Sequence, residues 1–475
     1  MKLSRRDMLV SLLGLPVVSS CRKQTDAIRW DGGFVETGAG HGHKLRDGFS
    51  PVPKREIHIP AVILGGGIAG LSAGWKLRRL GFNDFKVFEL RSQAGGTAMG
   101  GRTGSLRYPW GAHYLPTPHR EHHPILELLQ ETGSLVTRTK EGDPVFKETH
   151  LCADPDERIY FAGTWHEGLY PTLGASEDDL KQRLRFLNKI ETLSQWRDTE
   201  GRKAFALPMI ESGSSEALKH LDEMSMAEWM KREGLDSERL KWFVNYGCRD
   251  DFGGELATTS AWAAFHYFVS RIPSSEEGTS EFLTWPQGNE FLVDHMVNQI
   301  GAERMALNSL VLSVRPYKDG RRAKLVVWDA KTEEATAYIV DKLVYALPSF
   351  TRKYVIQGFE KLPQYHPEYV PWMVANIHLK GFPESHGFPL AWDNVIYDSR
   401  SLGYVVSTHQ IPRYRGETVW TYYLPLSGPD ARGARRDLYS LDYKQACDAI
   451  VTELSRCHIE FRPKEKSHRK GYDTV

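Results

Sequence analysis

Residues 57–70 join a strand-length apolar run to a closely spaced set of glycines, and this junction constrains the fold more than any other stretch. The apolar run, residues 57–64, suits a parallel strand that is buried on both faces. The glycines that follow have the spacing G-x-G-x-x-G, which gives a tight turn, a close backbone approach to a pyrophosphate and a helix packed on the strand. The phosphates would lie at the helix N-terminus, where backbone N–H groups are unpaired. The positions predicted to line them are Gly65, Gly67, Ile68, Ala69 and Gly70.

A second predicted strand, residues 85–90, carries an acidic residue near its end. Glu89 follows the first glycine at close to the expected spacing of about 20 residues, and its carboxylate would accept hydrogen bonds from ribose hydroxyls. Strand, loop, helix, strand and acid therefore occur in the order of a dinucleotide-binding unit. The same stretch matches the G-x-S-x-G pattern of hydrolases through Ser72. That pattern needs its serine at the strand-to-helix turn, which glycines occupy here, so the dinucleotide interpretation is favoured.

The residues after this acid carry a family resemblance. A second glycine pair, Gly95-Gly96, follows the acid, and residues 111–114 read G-A-H-Y. With these features the sequence resembles the superfamily of FAD-dependent amine oxidases, protoporphyrinogen oxidases and phytoene desaturases. In that superfamily a Gly-Gly pair follows the acid, and a segment of Gly-Ala, then His or Gln, then an aromatic residue lies beside the flavin.

The resemblance implies FAD as the cofactor and a role for a defined set of residues. Besides the positions named above, it implies cofactor binding by Leu90, Arg91, Gly95, Gly96, Thr97, Arg102, Gly111, Ala112, Leu310 and Val311. Thr97 stands where the family usually has arginine, so Arg102 is the candidate substitute. His113 and Tyr114 would lie beside the isoalloxazine ring and are the candidate catalytic residues.

The resemblance returns downstream and implies a two-domain organisation. It covers two blocks, residues 57–115 and 281–350. The implied fold class is α/β: these blocks form a Rossmann-like FAD-binding domain of the glutathione-reductase type, and residues 116–280 and 351–455 form an interleaved α+β substrate domain.

Aromatic side chains in residues 351–445 offer a substrate surface or, as the simpler alternative, a sheet core. They are Trp372, Trp392, Trp420, Tyr422 and Tyr423. Many amine oxidases place a lysine near the flavin in the strand where this chain has Asn376, with Lys380 out of register. This departure disfavours a primary amine as substrate.

Residues 116–280 are predicted to be largely helical. Ser176 begins a capping box ahead of a stripe that is predicted to be core, formed by Leu180, Leu184, Leu187, Ile190 and Leu193. The polar residues 245–251 favour a surface loop, with a loop that faces the flavin as the alternative. No metal site is predicted, because prolines interrupt the helical spacing of His113, His119, His122 and His123.

The N-terminal residues are predicted to be a targeting signal rather than a part of the fold. Residues 1–20 predict an export signal, in which Arg5 and Arg6 resemble a twin-arginine motif and the apolar run is too short to span a bilayer. Cys21 ends a stretch that resembles a bacterial lipobox, and an ordinary cleaved signal with an incidental cysteine is the alternative. We expect export by the twin-arginine machinery to the periplasm or cell envelope, with membrane contact only through a lipidated Cys21. Residues 21–56 are Gly-rich without periodicity and predict a tether.

The C-terminal stretch departs from the family. Residues 456–475 are hydrophilic and aperiodic, and they are predicted to form an atypical tail. The family's final strand-and-helix segment, which closes over FAD, is not found there. The hypothesis is that the chain is truncated near residue 456.

Net charge and cysteine spacing limit the classes of function that the chain could have. Lys plus Arg exceed Asp plus Glu by a single charge, so no net field attracts nucleic acid. The five cysteines lack CxxC spacing, so neither a zinc ribbon nor a thioredoxin-like site is suggested. The predicted function is FAD-dependent oxidation of an unidentified small or apolar substrate by hydride transfer to the flavin. The alternatives are a non-catalytic flavin-fold binding or scaffold protein and an NAD-dependent dehydrogenase.

Overall fold

The computed structural model describes residues 30–118, 124–213, 216–271, 282–362, 367–411 and 416–462. The predicted export signal, Cys21, and the histidines 119, 122 and 123 lie outside these ranges. Within them, none of the helices has the length and apolar character needed to cross a membrane.

The described residues form 18 strands and 12 α-helices. The strands are β1 (Arg55–Leu64), β2 (Phe85–Phe88), β3 (Gly100–Thr103), β4 (Leu106–Pro109), β5 (Tyr114–Pro116), β6 (Leu135–Arg138), β7 (Pro144–Phe146), β8 (Glu157–Phe161), β9 (Thr164–Glu167), β10 (Phe282–Thr284), β11 (Met305–Ala306), β12 (Ser309–Pro316), β13 (Ala323–Asp329), β14 (Glu334–Tyr345), β15 (Trp372–Leu379), β16 (Asp393–Ile396), β17 (Gly403–Val406) and β18 (Thr418–Pro425). The helices are α1 (Ala39–Arg46), α2 (Ile68–Arg79), α3 (Pro124–Glu131), α4 (Glu177–Gln195), α5 (Glu216–Lys219), α6 (Met226–Arg232), α7 (Glu238–Phe252), α8 (Ala261–Val269), α9 (Glu290–Ile300), α10 (Arg352–Val355), α11 (Ala431–Ser440) and α12 (Tyr443–Leu454).

One six-stranded sheet carries the glycine-rich junction. Its order is β11, β2, β1, β14, β13, β12, and β1 pairs in parallel with both β2 and β14. The apolar run of β1 becomes fully buried towards Leu64, since helices α2 and α9 pack together and cover one face. The predicted α/β class with a Rossmann-like dinucleotide domain is confirmed.

A second six-stranded sheet has the order β15, β18, β17, β16, β8, β9. Its strands come from two separate stretches of chain, because β8 and β9 precede the helical region and the other four follow the first sheet. Residues directly opposite each other share a face, so Asn376, Thr421 and Val405 lie on one side and Trp420 and Val406 on the other. We call the side with Asn376 the inner face, since it turns towards residues 109–114.

Helix α4 differs from its prediction. Ser176 forms the expected capping box with Asp179, but the leucines of the first three turns are exposed: Leu180 by 44%, Leu184 by 58% and Leu187 by 38%. The residues that enter the core are Gln182, Phe186, Ile190 and Leu193. The predicted single core stripe is therefore wrong for its first three leucines, because at 100° per residue they point away from the side that holds Phe186.

Two predicted irregular segments contain ordered structure. Helix α1 lies in the segment expected to lack periodicity, and Leu45 and Phe49 pack against Trp328 in a small apolar cluster. Near the other end, residues 456–462 are not a loose tail, because His458 and Phe461 are buried beside Trp420 on the outer side of the second sheet. In both places a few large apolar side chains fix a short segment that shows no sustained repeat.

Candidate functional site

The turn after β1 requires glycine at two positions. Gly65 has a φ of 101°, and its N–H donates to the Phe88 carbonyl at 2.8 Å. A Cβ on Gly65 would lie 2.8 Å from the Ala346 carbonyl oxygen, and one on Gly70 would lie 1.8 Å from the Gly65 carbonyl oxygen. Glycine is therefore required at the first and third positions of the motif because other backbone atoms approach too closely for a side chain, as the spacing predicts.

The middle glycine leaves an opening. Gly67 is the extended N-cap of α2 and has no side-chain cap, and a Cβ there would meet nothing closer than the Gly96 Cα at 3.8 Å. Ile68 and Ala69, the first two residues of the helix, are exposed. The unpaired N–H groups of the first turn therefore face open space, which is the arrangement that binds phosphate at a helix N-terminus.

Glu89 is held in one orientation at the end of β2. Its Oε2 accepts a 2.7 Å hydrogen bond from the Gly66 N–H, and its Oε1 accepts one of 2.9 Å from the Arg91 N–H. Its backbone is tied to β12, because the Ser309 N–H donates to the Glu89 carbonyl at 2.8 Å. The carboxylate is mostly buried, and its remaining lone pairs are those that a ribose diol would use.

The second glycine pair closes against the first loop. The Gly95 N–H donates to the Gly66 carbonyl at 2.7 Å, and Gly95 and Gly96 have φ values of 130° and 58°. A Cβ on Gly96 would lie 3.0 Å from the Gly67 Cα. Thr97 follows on the surface, and Arg102 is exposed on β3. The two glycine loops thus pack backbone to backbone and form a cradle that is open at Gly67.

An ion-pair cluster next to Gly100 was not predicted from the sequence. The Arg107 guanidinium lies 2.6 Å from a Glu290 carboxylate oxygen and 2.5 Å from one of Asp294. Glu290 is buried, and a Cβ on Gly100 would meet its Oε2 at 2.7 Å. Glu290 is the first residue of α9 and lies within the second block of the resemblance, but its arginine partner is far away in sequence.

Residues 109–114 are fixed from both domains. From the inner face of the second sheet, the Tyr423 hydroxyl donates to the Gly111 carbonyl and the Asn376 amide donates to the Pro109 carbonyl at 3.0 Å. From the start of α9, the Asn289 N–H donates to the Ala112 carbonyl at 2.9 Å. This segment therefore lies where the second sheet meets the dinucleotide domain.

The two candidate catalytic residues, His113 and Tyr114, lie together among aromatic rings. The ring of His113 is 6.3 Å from that of Trp392 and 6.2 Å from that of Tyr423, and the ring of Tyr114 is 5.5 Å from that of Trp392. The Nε2 atom of His113 is buried without a partner among the described residues. Burial lowers the pKa of His113 to about 3 and raises the pKa of Tyr114, so both side chains are neutral near pH 7.

Helix α7 places acidic groups opposite the inner face, where the sequence favoured a surface loop. The Tyr246 hydroxyl donates to Asp393 Oδ2 at 3.2 Å. Burial, together with the charge of Asp251, raises the pKa of Asp250 to about 6, and burial with the charge of Asp250 raises the pKa of Asp393 well above its ordinary value. The alternative of a segment that faces the aromatic end of the site is the one that this geometry supports.

The remaining predicted cofactor residues lie at the far end of the cradle. Leu90 and Arg91 directly follow Glu89, whereas the side chains of Leu310 and Val311 are buried on opposite faces of β12. Any contact that these two make with a cofactor would therefore come from their backbone. The residues described contain no group of three or more His, Cys, Asp and Glu side chains arranged to hold a metal ion.

The cradle fits an extended dinucleotide. It combines a helix N-terminus suited to phosphate, a fixed carboxylate suited to ribose and two glycine loops in close backbone contact, with open space at Gly67. Gly65, Gly67, Gly70, Glu89, Gly95 and Gly96 are brought together there, and Gly111, Ala112, His113 and Tyr114 lie at the aromatic end.

Comparison with known proteins agrees with this geometry. A family model described as an NAD(P)-binding Rossmann-like domain matches residues 63–132. The chain is similar to wild-type putrescine oxidase bound to putrescine, with 14% identity, a TM-score of 0.59 and 88% of each chain covered. It is also similar to cyclohexylamine oxidase from Brevibacterium oxydans, with 14% identity, a TM-score of 0.55, and 84% of this chain and 81% of that one covered. An oxidoreductase from Methanosarcina mazei matches at 14% identity and a TM-score of 0.51, over 84% of this chain and 86% of that one. The shared feature is the fold, a Rossmann-like domain joined to a second domain.

Proposed function

We propose that this protein is an FAD-dependent oxidoreductase that oxidises an unidentified small or apolar substrate at the junction of its two sheets. The observation that carries the proposal is the open space at Gly67, at the N-terminus of α2, beside the second glycine pair and the fixed carboxylate of Glu89. A nicotinamide dinucleotide needs only the first glycine loop and the acid. The second glycine loop extends the cradle, which supports the longer flavin dinucleotide.

The chain's own residues would bind and orient the reactants. The first turn of α2 would hold the diphosphate, Glu89 would hold the ribose, and FAD, when bound, would supply the acceptor for a hydride from the substrate. His113 stays neutral above about pH 3, so it adds no positive charge to the aromatic end. Trp392, Tyr114 and Tyr423 would exclude water and pack against a planar or apolar substrate.

The residue type at position 376 also affects which class of substrate is expected. Its amide donates to the Pro109 carbonyl and, at 2.9 Å, to the Thr421 hydroxyl, so it serves to hold residues 109–114 against the second sheet. A lysine near the flavin is the feature of many amine oxidases that this position lacks. The proposal therefore favours a substrate other than a primary amine.

The test begins with the colour of the purified protein. We expect a yellow preparation whose visible absorbance bleaches when dithionite is added under anaerobic conditions, and a metabolite panel scored by the same bleaching would identify the substrate. A colourless preparation that takes up no added FAD would contradict the proposal and support the scaffold alternative. A preparation that retains nicotinamide and no flavin would support the dehydrogenase.

We further propose that the protein is exported by the twin-arginine machinery and anchored through Cys21. The support is the sequence of residues 1–21, all of which lie outside the described ranges. Mass spectrometry of the mature N-terminus tests both parts. A lipidated Cys21 as first residue is expected, and an unmodified N-terminus at another residue would contradict the anchor.

A further inference from the structure

A short N-terminal segment packs against the residues that follow Glu89. We call residues 36–49 the strap. A Cβ on Gly38 would lie 3.2 Å from Leu90 Cδ2 and 3.5 Å from Arg91 Cγ, so the strap backbone rests directly on these side chains. The Arg91 Nε–H donates to the Thr37 carbonyl at 3.0 Å. The strap therefore touches two residues that the sequence assigns to the cofactor site.

The rest of the strap is anchored to the first sheet. The ring of Phe49 lies 5.2 Å from that of Trp328, and the His41 ring lies 5.6 Å from it. The Lys44 ammonium lies 5.1 Å from the centroid of the Trp328 ring, and Leu45 joins the same apolar cluster. Because β13 supplies Trp328, the strap is fixed to the sheet at one end and to the loop after Glu89 at the other.

Arg91 connects the strap to the ribose carboxylate. Its backbone N–H donates to Glu89 Oε1 at 2.9 Å, and its carbonyl accepts a 2.9 Å hydrogen bond from the Asn308 N–H. Its side chain is held by the strap through Thr37. The orientation of Glu89 Oε1 thus depends on Arg91. Arg91 is itself held by hydrogen bonds to Asn308 and to Thr37 of the strap.

We infer that the strap is a positioning element of the cofactor site, which fixes residues 89–91 and so gives the protein its preference for flavins that carry an adenosine half. The inference rests on the proposed function, since it takes FAD as the ligand. Ordering a binding loop before the ligand arrives removes an entropic cost from binding. Loss of the strap contacts should therefore weaken the adenosine end of the site and spare the part that binds the rest of the flavin.

Two variants remove these contacts by different means. Gly38→Val inserts a side chain against Leu90 and Arg91 at a φ of 73°, and Arg91→Met removes the donor to Thr37. Gly40→Val is the matched control, because a Cβ on Gly40, also within the strap, meets nothing within 4 Å. Each full-length protein is stripped of flavin, and the dissociation constants for FAD, FMN and ADP are measured by fluorescence and calorimetry, with urea unfolding of the flavin-free form.

We expect Gly38→Val and Arg91→Met to raise the dissociation constants for FAD and ADP by about tenfold, to change that for FMN little and to leave Gly40→Val like the wild type. Unchanged FAD affinity in Arg91→Met, or equal losses of FAD and FMN affinity together with a lower unfolding midpoint, would overturn the inference in favour of a purely structural role. Arg91→Met keeps the test decisive if Gly38→Val does not fold. A wild type that binds neither FAD nor ADP would instead overturn the proposed function itself.

Discussion

The carboxylate of Glu89 and the backbone N–H of Gly66 form a 2.7 Å hydrogen bond that ties the end of β2 to the loop after β1. These two strands are neighbours in the sheet, and their ends meet where the helix N-terminus opens. Ligands in open α/β sheets bind outside the carboxyl ends of the strands, at such a junction. The bond therefore orders the Glu89 carboxylate and the loop after β1, the proposed ribose and phosphate sites, as one unit.

Replacing Glu89 with glutamine tests this unit. Glu89→Gln keeps one acceptor oxygen but loses the charge-assisted bonds, each worth about 1.5–3 kcal/mol. We expect the dissociation constant for FAD to rise by about tenfold or more, measured by flavin fluorescence. Asp84→Asn, the same change at an exposed site just before β2, should leave it unchanged. Equal FAD affinity in Glu89→Gln and the wild type would show that this carboxylate does not bind the ribose.

Two glycines of one motif should respond differently to alanine. At Gly70 the new Cβ would lie 1.8 Å from the Gly65 carbonyl oxygen, so we expect Gly70→Ala to lose about 3 kcal/mol or more of unfolding free energy. At Gly67 the nearest atom is 3.8 Å away. Gly67→Ala should therefore unfold in urea like the wild type and yet bind FAD poorly, because its methyl group enters the cradle. A Gly67→Ala protein with full FAD affinity would place the phosphates elsewhere.

These glycines show what sequence can predict. Their spacing encodes backbone geometry directly, so the positions of Gly65, Gly67 and Gly70 follow from local pattern alone. The pairing of Arg107 with Glu290 could not be predicted, because it depends on how two distant segments meet in the fold. The surroundings of Asp250 could not be predicted either, because they depend on how helix α7 packs against the second sheet.

Asp250→Asn should change the dependence of stability on pH. Burial raises the pKa of Asp250 from 3.8 to about 6, so the folded protein holds this proton more tightly than the unfolded chain. The resulting stability is fully present below pH 3.8 and is lost as pH rises through 6. We expect Asp250→Asn to match the wild type near pH 4 and to exceed it by up to about 3 kcal/mol at pH 8, measured by urea unfolding.

The neighbouring acid provides the control for this experiment. Asp251 forms a 2.6 Å ion pair with Arg271, which is largely buried, so Asp251→Asn leaves a buried cation without this partner. It should destabilise the protein at pH 8, the opposite sign to Asp250→Asn. A loss of stability at pH 8 in both variants would show that Asp250 is also a paired carboxylate rather than a desolvated one.

Two apolar residues of helix α4, Phe186 and Leu184, should differ in what they contribute to the free energy of unfolding. Phe186 is fully buried against Trp229 and Phe265, and its truncation to alanine should cost about 3–5 kcal/mol through lost burial and a cavity. Leu184 is 58% exposed, so Leu184→Ala should change the unfolding free energy by about 0.5 kcal/mol or less. Urea unfolding followed by circular dichroism measures both. A comparable loss of unfolding free energy in Leu184→Ala would mean that this leucine is buried in the native protein, as the sequence pattern predicted.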